Sequence, residues 1–109
     1  MASIKKITES LREFRDERDW DQFHNPKDVA IALSIEASEL LELFLWKRAD
    51  EANLERVKEE LADVFAFAFL LADKYGLDVQ QIIQDKIEKN KLKYPIEKAK
   101  GSAKKYTEL

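Results

Sequence analysis

The stretch that decides the fold is residues 54–75, which read LERVKEELADVFAFAFLLADKY. Apolar side chains recur in it at steps of three and four residues, at Leu54, Val57, Leu61, Val64, Ala68, Leu71 and Tyr75. This spacing places them on one face of a helix, so it predicts a single long α-helix. The second half, Val64 to Ala72, is apolar on every side, which predicts burial all round. Because Asp63 leads into this half, we expect its side chain to point toward protein.

The same periodicity predicts three more helices, over about residues 3–18, 26–46 and 79–93. Their boundaries carry the usual signals: Ser3, Asn25 and Asp78 as N-caps, Pro26 at a first helical position, Ala49–Glu51 as a break and new cap, and Gly76 and Pro95 as stops. The sequence therefore describes helices joined by short connections.

Composition supports an all-α fold. The chain has 109 residues but only two glycines and two prolines, too few for the many reversals of a β-protein. This length suits one domain. We predict a four-helix bundle, with residues 1–95 as the helical domain and residues 96–109 as a lysine-rich C-terminal tail.

Several partner and site classes are disfavoured. The net charge of −3 argues against a nucleic-acid polymer, which requires a clustered positive face. The absence of cysteine removes disulfides, thiolate metal sites and thiol nucleophiles. No apolar run approaches the length of a membrane span, and the first residues lack the apolar stretch of a secretion signal. We expect a cytoplasmic protein without a membrane partner.

Two pairs of acidic residues interrupt this pattern. The apolar stripe of the second helix should pass through position 36, but Glu36 stands there, with Glu39 one turn on. The third helix carries Glu60 and Asp63 at the same spacing. Buried like charges repel and favour protonation, so these pairs require positive charge between them. The sequence therefore predicts a metal site built from four carboxylates.

A plainer interpretation remains open, since acidic residues on wet helix faces often fall three apart by chance. We interpret the other acidic positions in this way, at Glu51, Glu55, Glu59, Glu88 and Glu97. If the four carboxylates do bind metal, their oxygen ligands favour Mg²⁺ or Mn²⁺ over Zn²⁺ or copper. A di-iron centre is disfavoured because the chain has no Glu-x-x-His pair.

The ordered motifs resemble those of the MazG-like nucleoside triphosphate pyrophosphohydrolases, and in particular their dCTP pyrophosphatase branch. The resemblance rests on EASE at residues 36–39 followed by ELAD at 60–63, on WDQFHNP at 20–26, on LFLW at 43–46 and on KIEKNKLKYP at 86–95. Many family members carry a further glutamate where this chain has Ile35, so the number of ions per site stays open.

This resemblance implies hydrolysis of a nucleoside triphosphate to the monophosphate and pyrophosphate, with Mg²⁺ required. It also implies a homodimer or homotetramer whose bundle and active sites are completed by a neighbouring subunit. Glu36, Glu39, Glu60 and Asp63 would be the metal ligands and catalytic residues. Glu36 or Glu39 would accept the proton of the attacking water, and the sequence does not choose between them.

Further residues are predicted to bind the substrate. The resemblance makes Lys86, Asn90, Lys93 and Tyr94 contacts of the phosphates or sugar, although a lysine-rich wet face would show the same spacing. Trp20, Phe23 and Trp46 are candidates for stacking on the base, with core or subunit packing as the alternative. Phe67 and His24 are further candidates, with a core position and a helix cap as their respective alternatives.

A different class of function also remains at this stage. The chain could bind a metal-nucleotide without turnover, as a nucleotide-binding or dimerising helical module. Base preference stays open, with dCTP or another pyrimidine nucleotide as the first candidate, because stacking side chains accept every base.

Overall fold

The computed structural model describes residues 3–109. Within this range the chain forms five α-helices and no β-strand. The helices are α1 (Ile4–Glu17), α2 (Pro26–Glu42), α3 (Leu54–Lys74), α4 (Val79–Lys93) and α5 (Ile96–Ala99). The all-α fold predicted from the sequence is confirmed. None of these helices is both long enough and apolar enough to cross a bilayer.

The predicted helix boundary signals act largely as expected. The side chains of Ser3, Asn25 and Asp78 each accept a hydrogen bond from the backbone N–H three residues further on. These bonds satisfy N–H groups that have no partner inside the helix. Gly76 follows α3 with a φ of 64°, the left-handed conformation that glycine adopts without steric cost.

Two predicted boundaries around the second connection were wrong. The second helix ends at Glu42, because the chain then passes through a series of turns in which Trp46 has a φ of 61°. A left-handed residue with a Cβ cannot continue an α-helix. The cap of α3 is Asn53, whose side chain accepts from the N–H of Arg56, whereas Ala49–Glu51 forms a separate 3₁₀ turn.

The chain divides into two compact units, one ending at Leu77 and the other comprising Asp78–Leu109. In the first unit, α2 and α1 both pack against α3. The buried apolar side chains are Val29, Leu43, Leu70 and Ala72. Arg12 on α1 also joins Asp73 on α3 through two hydrogen bonds, from Nε at 3.1 Å and from Nη2 at 2.6 Å. These contacts place α2 and α1 beside the same central helix.

The expectation that the segment from Val64 to Ala72 is buried on every side was wrong for a single chain. Between Val64 and Ala72 only Leu70 and Ala72 are buried, and Phe65 is 52% exposed. Asp63 is likewise exposed, although its carboxylate lies near those of Glu36 and Glu60. The physical reason is that α1 and α2 cover only part of the circumference of α3. Apolar side chains on the remaining part therefore stay in contact with solvent.

The second unit contains α4 and the segment that follows it. After Pro95 the chain forms α5 and ends in a 3₁₀ turn at Tyr106–Glu108. The Tyr106 ring meets the Tyr94 ring edge-on at 5.9 Å, and Lys93 Nζ lies 4.9 Å from its centre. These aromatic and cation–π contacts join the last residues to the end of α4. The predicted domain division at residue 95 stays a prediction.

Candidate metal and nucleotide site

The carboxyl groups of Glu36, Glu60 and Asp63 converge between α2 and α3. One carboxylate oxygen from each lies within 4.8 Å of the other two. The convergence follows from the fold, because α2 packs along α3 and each helix carries its acidic residues on the facing side. Glu36 and Glu60 are half-buried, whereas Asp63 is exposed. The cluster therefore has a dry side and an open side.

Glu39 belongs to the same neighbourhood, although its own side chain is exposed. After burial, the proximity of Glu39 is the next cause that raises the pKa of both Glu36 and Glu60. Glu39 is thus close enough to share a cation or a proton with the cluster.

Two oxygen atoms in the cluster lack the partners that burial requires. Oε2 of Glu36 and Oε2 of Glu60 are buried without any hydrogen bond. Burial, followed by the effect of Glu39, raises the pKa of Glu36 to about 7, and burial also raises the pKa of Glu60. A divalent cation would satisfy these oxygens and offset the repulsion between the carboxylates. The residues present therefore fit an ion that prefers oxygen ligands, such as Mg²⁺ or Mn²⁺.

A cavity of about 490 Å³ adjoins the acidic cluster. Its volume lies within the range typical of small-molecule sites. Glu36 and Asp63 form part of its wall, and the other lining residues are Leu11, Phe14, Arg15, Trp20, His24, Ala66, Phe67 and Leu70. The cavity is therefore acidic where it meets the cluster and mainly apolar elsewhere. This arrangement can hold a metal-bound polar group together with a flat organic ring.

Three of the predicted base-binding residues line this cavity, namely Trp20, His24 and Phe67. The rings of His24 and Phe67 meet edge-on, with their centres 6.4 Å apart, and Trp20 makes a similar contact with Phe14 at 5.7 Å. Side chains from the loop after α1 and from α3 therefore meet at one wall. Whether they bind a base stays a prediction.

His24 is poised for hydrogen bonding inside this cavity. Burial, and then the positive charges of Arg15 and Lys74, lower its pKa, so the ring is neutral at physiological pH. Its Nδ1 atom is buried without a hydrogen-bond partner. A neutral imidazole offers one donor and one acceptor, so a ligand could supply the missing partner.

The loop that carries Trp20 and His24 is held by an ion-pair network. Asp21 pairs with Lys74 at the end of α3 and with Arg15 on α1, where the distance is 3.3 Å. The hydrogen bond from Lys74 is the main reason why the pKa of Asp21 is lowered. The network therefore ties the loop to both helices that flank the cavity.

Two predicted aromatic contacts are not brought to this cavity. Phe23 is 63% exposed, and Trp46 is 99% exposed in its left-handed turn. Neither residue lines the cavity. The remaining predicted contacts, Lys86, Asn90, Lys93 and Tyr94, belong to the second unit, where the first three lie on α4 and Tyr94 follows its last turn. Their roles stay predictions.

The sequence interpretation missed Arg15. This residue is only 6% exposed and lines the cavity from α1. A signal for it was available, because Arg15 lies four residues after Leu11 and so continues the apolar stripe of the first helix. The same signal, a charged residue at a position that should be apolar, was used to identify Glu36 but was overlooked at Arg15.

Comparison with known proteins identifies the family. The sequence of residues 31–109 matches the MazG-like family. This chain belongs to the MazG-like family. The EASE and ELAD motifs lie within the matched part, whereas Trp20 and His24 lie before it. The family predicted from the sequence is confirmed.

The chain is also similar to curated proteins and to a solved structure that are named as pyrophosphatases. This MazG-like chain is 39% identical to mouse dCTP pyrophosphatase 1 over 115 aligned residues, which cover 98% of the chain and 68% of the mouse protein. The human dCTP pyrophosphatase 1 is 38% identical with the same coverage. A crystal structure of a pyrophosphatase from Archaeoglobus fulgidus superposes with a TM-score of 0.78 at 41% identity, covering 87% of this chain and 94% of that one.

Proposed function

We propose that this MazG-like protein is a nucleoside triphosphate pyrophosphohydrolase that releases a nucleoside monophosphate and pyrophosphate. The observation that carries the proposal is the acidic cluster, in which Glu36 and Glu60 have unpartnered oxygens and Glu36 and Asp63 line a largely apolar cavity. A triphosphate needs cations on one side and a place for its base on the other. The names of the relatives, dCTP pyrophosphatase and pyrophosphatase, support this activity and make dCTP the first substrate to test.

Glu36, Glu39, Glu60 and Asp63 are proposed to hold Mg²⁺, with Mn²⁺ as a substitute. The bound ions would act as Lewis acids on the α-phosphate and offset the charge that develops on the departing pyrophosphate. The carboxylates would fix the position of the phosphates relative to the cavity. Without cations the negative cluster would repel a triphosphate, so substrate binding should depend on the metal.

The proton of the attacking water is assigned to Glu36 or Glu39. Both lie on α2, one turn apart, at the edge of the cluster. Burial, and then the neighbouring Glu39, raise the pKa of Glu36 to about 7, so this carboxylate is able to hold a proton near neutral pH. A pair of this kind can take a proton from water and return it to solvent through the exposed Glu39 side chain.

Trp20, His24 and Phe67 are proposed to receive the base in the cavity. Stacking of a base on an aromatic ring is worth roughly 1–3 kcal/mol in nucleic-acid complexes. Lys86, Asn90, Lys93 and Tyr94 are proposed as phosphate or sugar contacts because they supply the donors that a carboxylate cluster lacks. Phe23 and Trp46 remain candidates for a base contact made across a subunit interface.

A homodimer or homotetramer is proposed as the working assembly. Ile31 and Ile35 on α2, and Leu61 and Phe65 on α3, are large apolar side chains at four-residue steps, and all four are exposed. Such stripes commonly mark protein–protein contacts. A second copy of the chain would cover α3 on the side that α1 and α2 leave open.

The central experiment is identification of the product. With Mg²⁺ and dCTP, we expect dCMP and pyrophosphate, detected by chromatography and by phosphate release only after an inorganic pyrophosphatase is added. Direct release of orthophosphate would contradict attack at the α-phosphate. Tight Mg²⁺-dependent nucleotide binding without any product would instead establish a binding module.

Matched variants test the metal site. Glu60→Gln removes a charge from the cluster and should lower kcat/KM at least 100-fold, since metal ligands are needed throughout the reaction. Glu59→Gln is the control, because Glu59 is the neighbouring residue on α3 but is exposed and outside the cluster. Equal losses in both variants would refute a specific role for Glu60.

A further inference from the structure

Arg15 is the one charged residue that is buried among residues 3–109. A guanidinium buried without partners would be costly, so its position requires compensation. Nε donates to Asp16 at 2.9 Å, and Nη1 lies 3.3 Å from Asp21. These contacts involve Nε and Nη1, and Nη2 takes part in neither. Arg15 is thus held in a fixed orientation with donor capacity left over.

Arg15 is linked to the C-terminal end of α3 through its loop partner Asp21. Its partner Asp21 also pairs with Lys74, which is the last residue of α3. Asp63 lies 11 residues earlier on the same helix, which corresponds to roughly 16 Å along the axis. Asp63 and Arg15 both line the cavity, and the link to Lys74 favours a position for Arg15 away from the acidic cluster.

This polarity indicates how a nucleotide would lie, provided that the proposed function is right. Cations at the acidic cluster would hold the phosphates, and the base would extend toward Arg15. A guanidinium offers only hydrogen-bond donors. It therefore matches a base edge that presents acceptors. Cytosine presents two neighbouring acceptors, O2 and N3, whereas thymine and uracil carry an N3–H donor between their two carbonyl groups.

We propose that Arg15 is a specificity-determining residue that donates to the O2 and N3 edge of cytosine and so favours dCTP over dTTP or dUTP. His24 supports this assignment from the same cavity. With its proton on Nε2, its unpartnered Nδ1 can accept a hydrogen bond from the cytosine amino group. The carbonyl group that replaces this amino group in thymine and uracil could not donate. Arg15 and His24 thus form a donor–acceptor pattern complementary to cytosine.

The test compares Arg15→Met and Arg15→Lys with Arg12→Met. Arg12 is a matched control, because it also lies on α1 in an ion pair but does not line the cavity. The readout is the ratio of kcat/KM for dCTP to that for dTTP with saturating Mg²⁺. Arg15→Met should lower the ratio by about 5- to 150-fold, the range expected for one bidentate base contact. Arg12→Met should lower the melting temperature and leave the ratio unchanged.

Arg15→Lys keeps the charge and loses the planar pair of donors, so its ratio should fall between those of the parent and Arg15→Met. If Arg15→Met does not fold, the ratio measured for Arg15→Lys alone tests the proposal. A ratio in both variants within twofold of the parent ratio would overturn the proposal, because Arg15 would then only anchor the loop. Equal preference of the parent protein for dCTP and dTTP would overturn it as well.

Binding of products separates this inference from the proposed function. Calorimetry with dCMP and dTMP in Mg²⁺ requires no turnover, and the parent should bind dCMP more tightly while Arg15→Met loses the difference. If the parent hydrolyses no triphosphate but shows this Arg15-dependent preference, hydrolysis is wrong and the base contact stands. If the parent hydrolyses dCTP and the variants keep its preference, only the role of Arg15 fails. If neither monophosphate is bound preferentially, the base contact is overturned.

Discussion

Replacing Glu36 by glutamine should stabilise the metal-free protein and abolish its stabilisation by Mg²⁺. The pKa of Glu36 is raised from 4.5 to about 7 in the folded chain. The folded state therefore binds more protons than the unfolded state in this interval, so stability falls as pH rises from about 4.5 through 7. Above that range the carboxylate is fully ionised and lowers the free energy of unfolding, whereas the neutral amide of glutamine, which has nearly the same shape, does not.

The magnitude follows from the size of the shift. At about 1.4 kcal/mol per pKa unit, the full shift would correspond to about 3 kcal/mol. Solvent reaches the open side of the cluster, and screening there reduces the expected gain to about 1–2 kcal/mol. For a domain of this size, such a gain corresponds to a rise in melting temperature on the order of 5–10 °C.

The assay is thermal unfolding followed by circular dichroism between pH 5 and 8, once in EDTA and once in millimolar Mg²⁺. The parent should lose stability with rising pH in EDTA and recover it in Mg²⁺, because an ion that binds only the folded state stabilises it. Glu36→Gln should show a flatter pH profile and little response to Mg²⁺. Glu42→Gln, an exposed position at the end of α2, is the control. If Glu36→Gln kept the parent's pH profile in EDTA and its Mg²⁺ response, the reasoning would be refuted.

Two further predictions concern the assembly and a turn. If the exposed side of α3 forms the proposed interface, Phe65→Asp should convert the protein to a monomer, as measured by light scattering. Glu59→Asp is the control and should leave the assembly unchanged. An unchanged molecular mass for Phe65→Asp would contradict the interface. Gly76→Ala should lower the free energy of unfolding by about 1–2 kcal/mol, measured by urea titration, because alanine at a φ of 64° is strained although its Cβ would meet no atom within 4 Å. An unchanged midpoint would show that the turn relaxes.

The parts of the fold that follow from local chemistry were predictable from the sequence. Asn25, Asp78 and Gly76 act through their own backbone and nearest turns, so their signals needed no knowledge of the rest of the chain. The end of α2 was not predictable in this way. Leu43 to Trp46 continue the apolar pattern of a helix, yet α2 ends at Glu42. The left-handed conformation of Trp46 is unusual for a residue with a Cβ, and no local signal in the sequence indicates it.

The residues of the candidate site also fall into those that were predictable from the local sequence and those that were not. Glu36 was recognisable because it interrupts an apolar stripe, and the structure places it beside Glu60 and Asp63. The exposure of Phe65 and Asp63 could not be foreseen, because periodicity reports which faces of a helix are apolar and not how many neighbours are present to cover them. Arg15 was missed although it continues the apolar stripe of α1, because the Asp21 carboxylate that compensates its burial lies in the following loop and not on the same helix.

The Asp21 network has a consequence for the kinetics of ligand binding. Because Lys74 and Arg15 already hold the loop that carries Trp20 and His24, a ligand entering the cavity need not order that loop itself. Preorganisation of this kind removes an entropic cost of association. The lowered pKa of Asp21 keeps its charge, and hence this anchoring, in mildly acidic solution. A base should thus bind to a preformed cavity, and the association rate should be limited mainly by diffusion and by electrostatic steering.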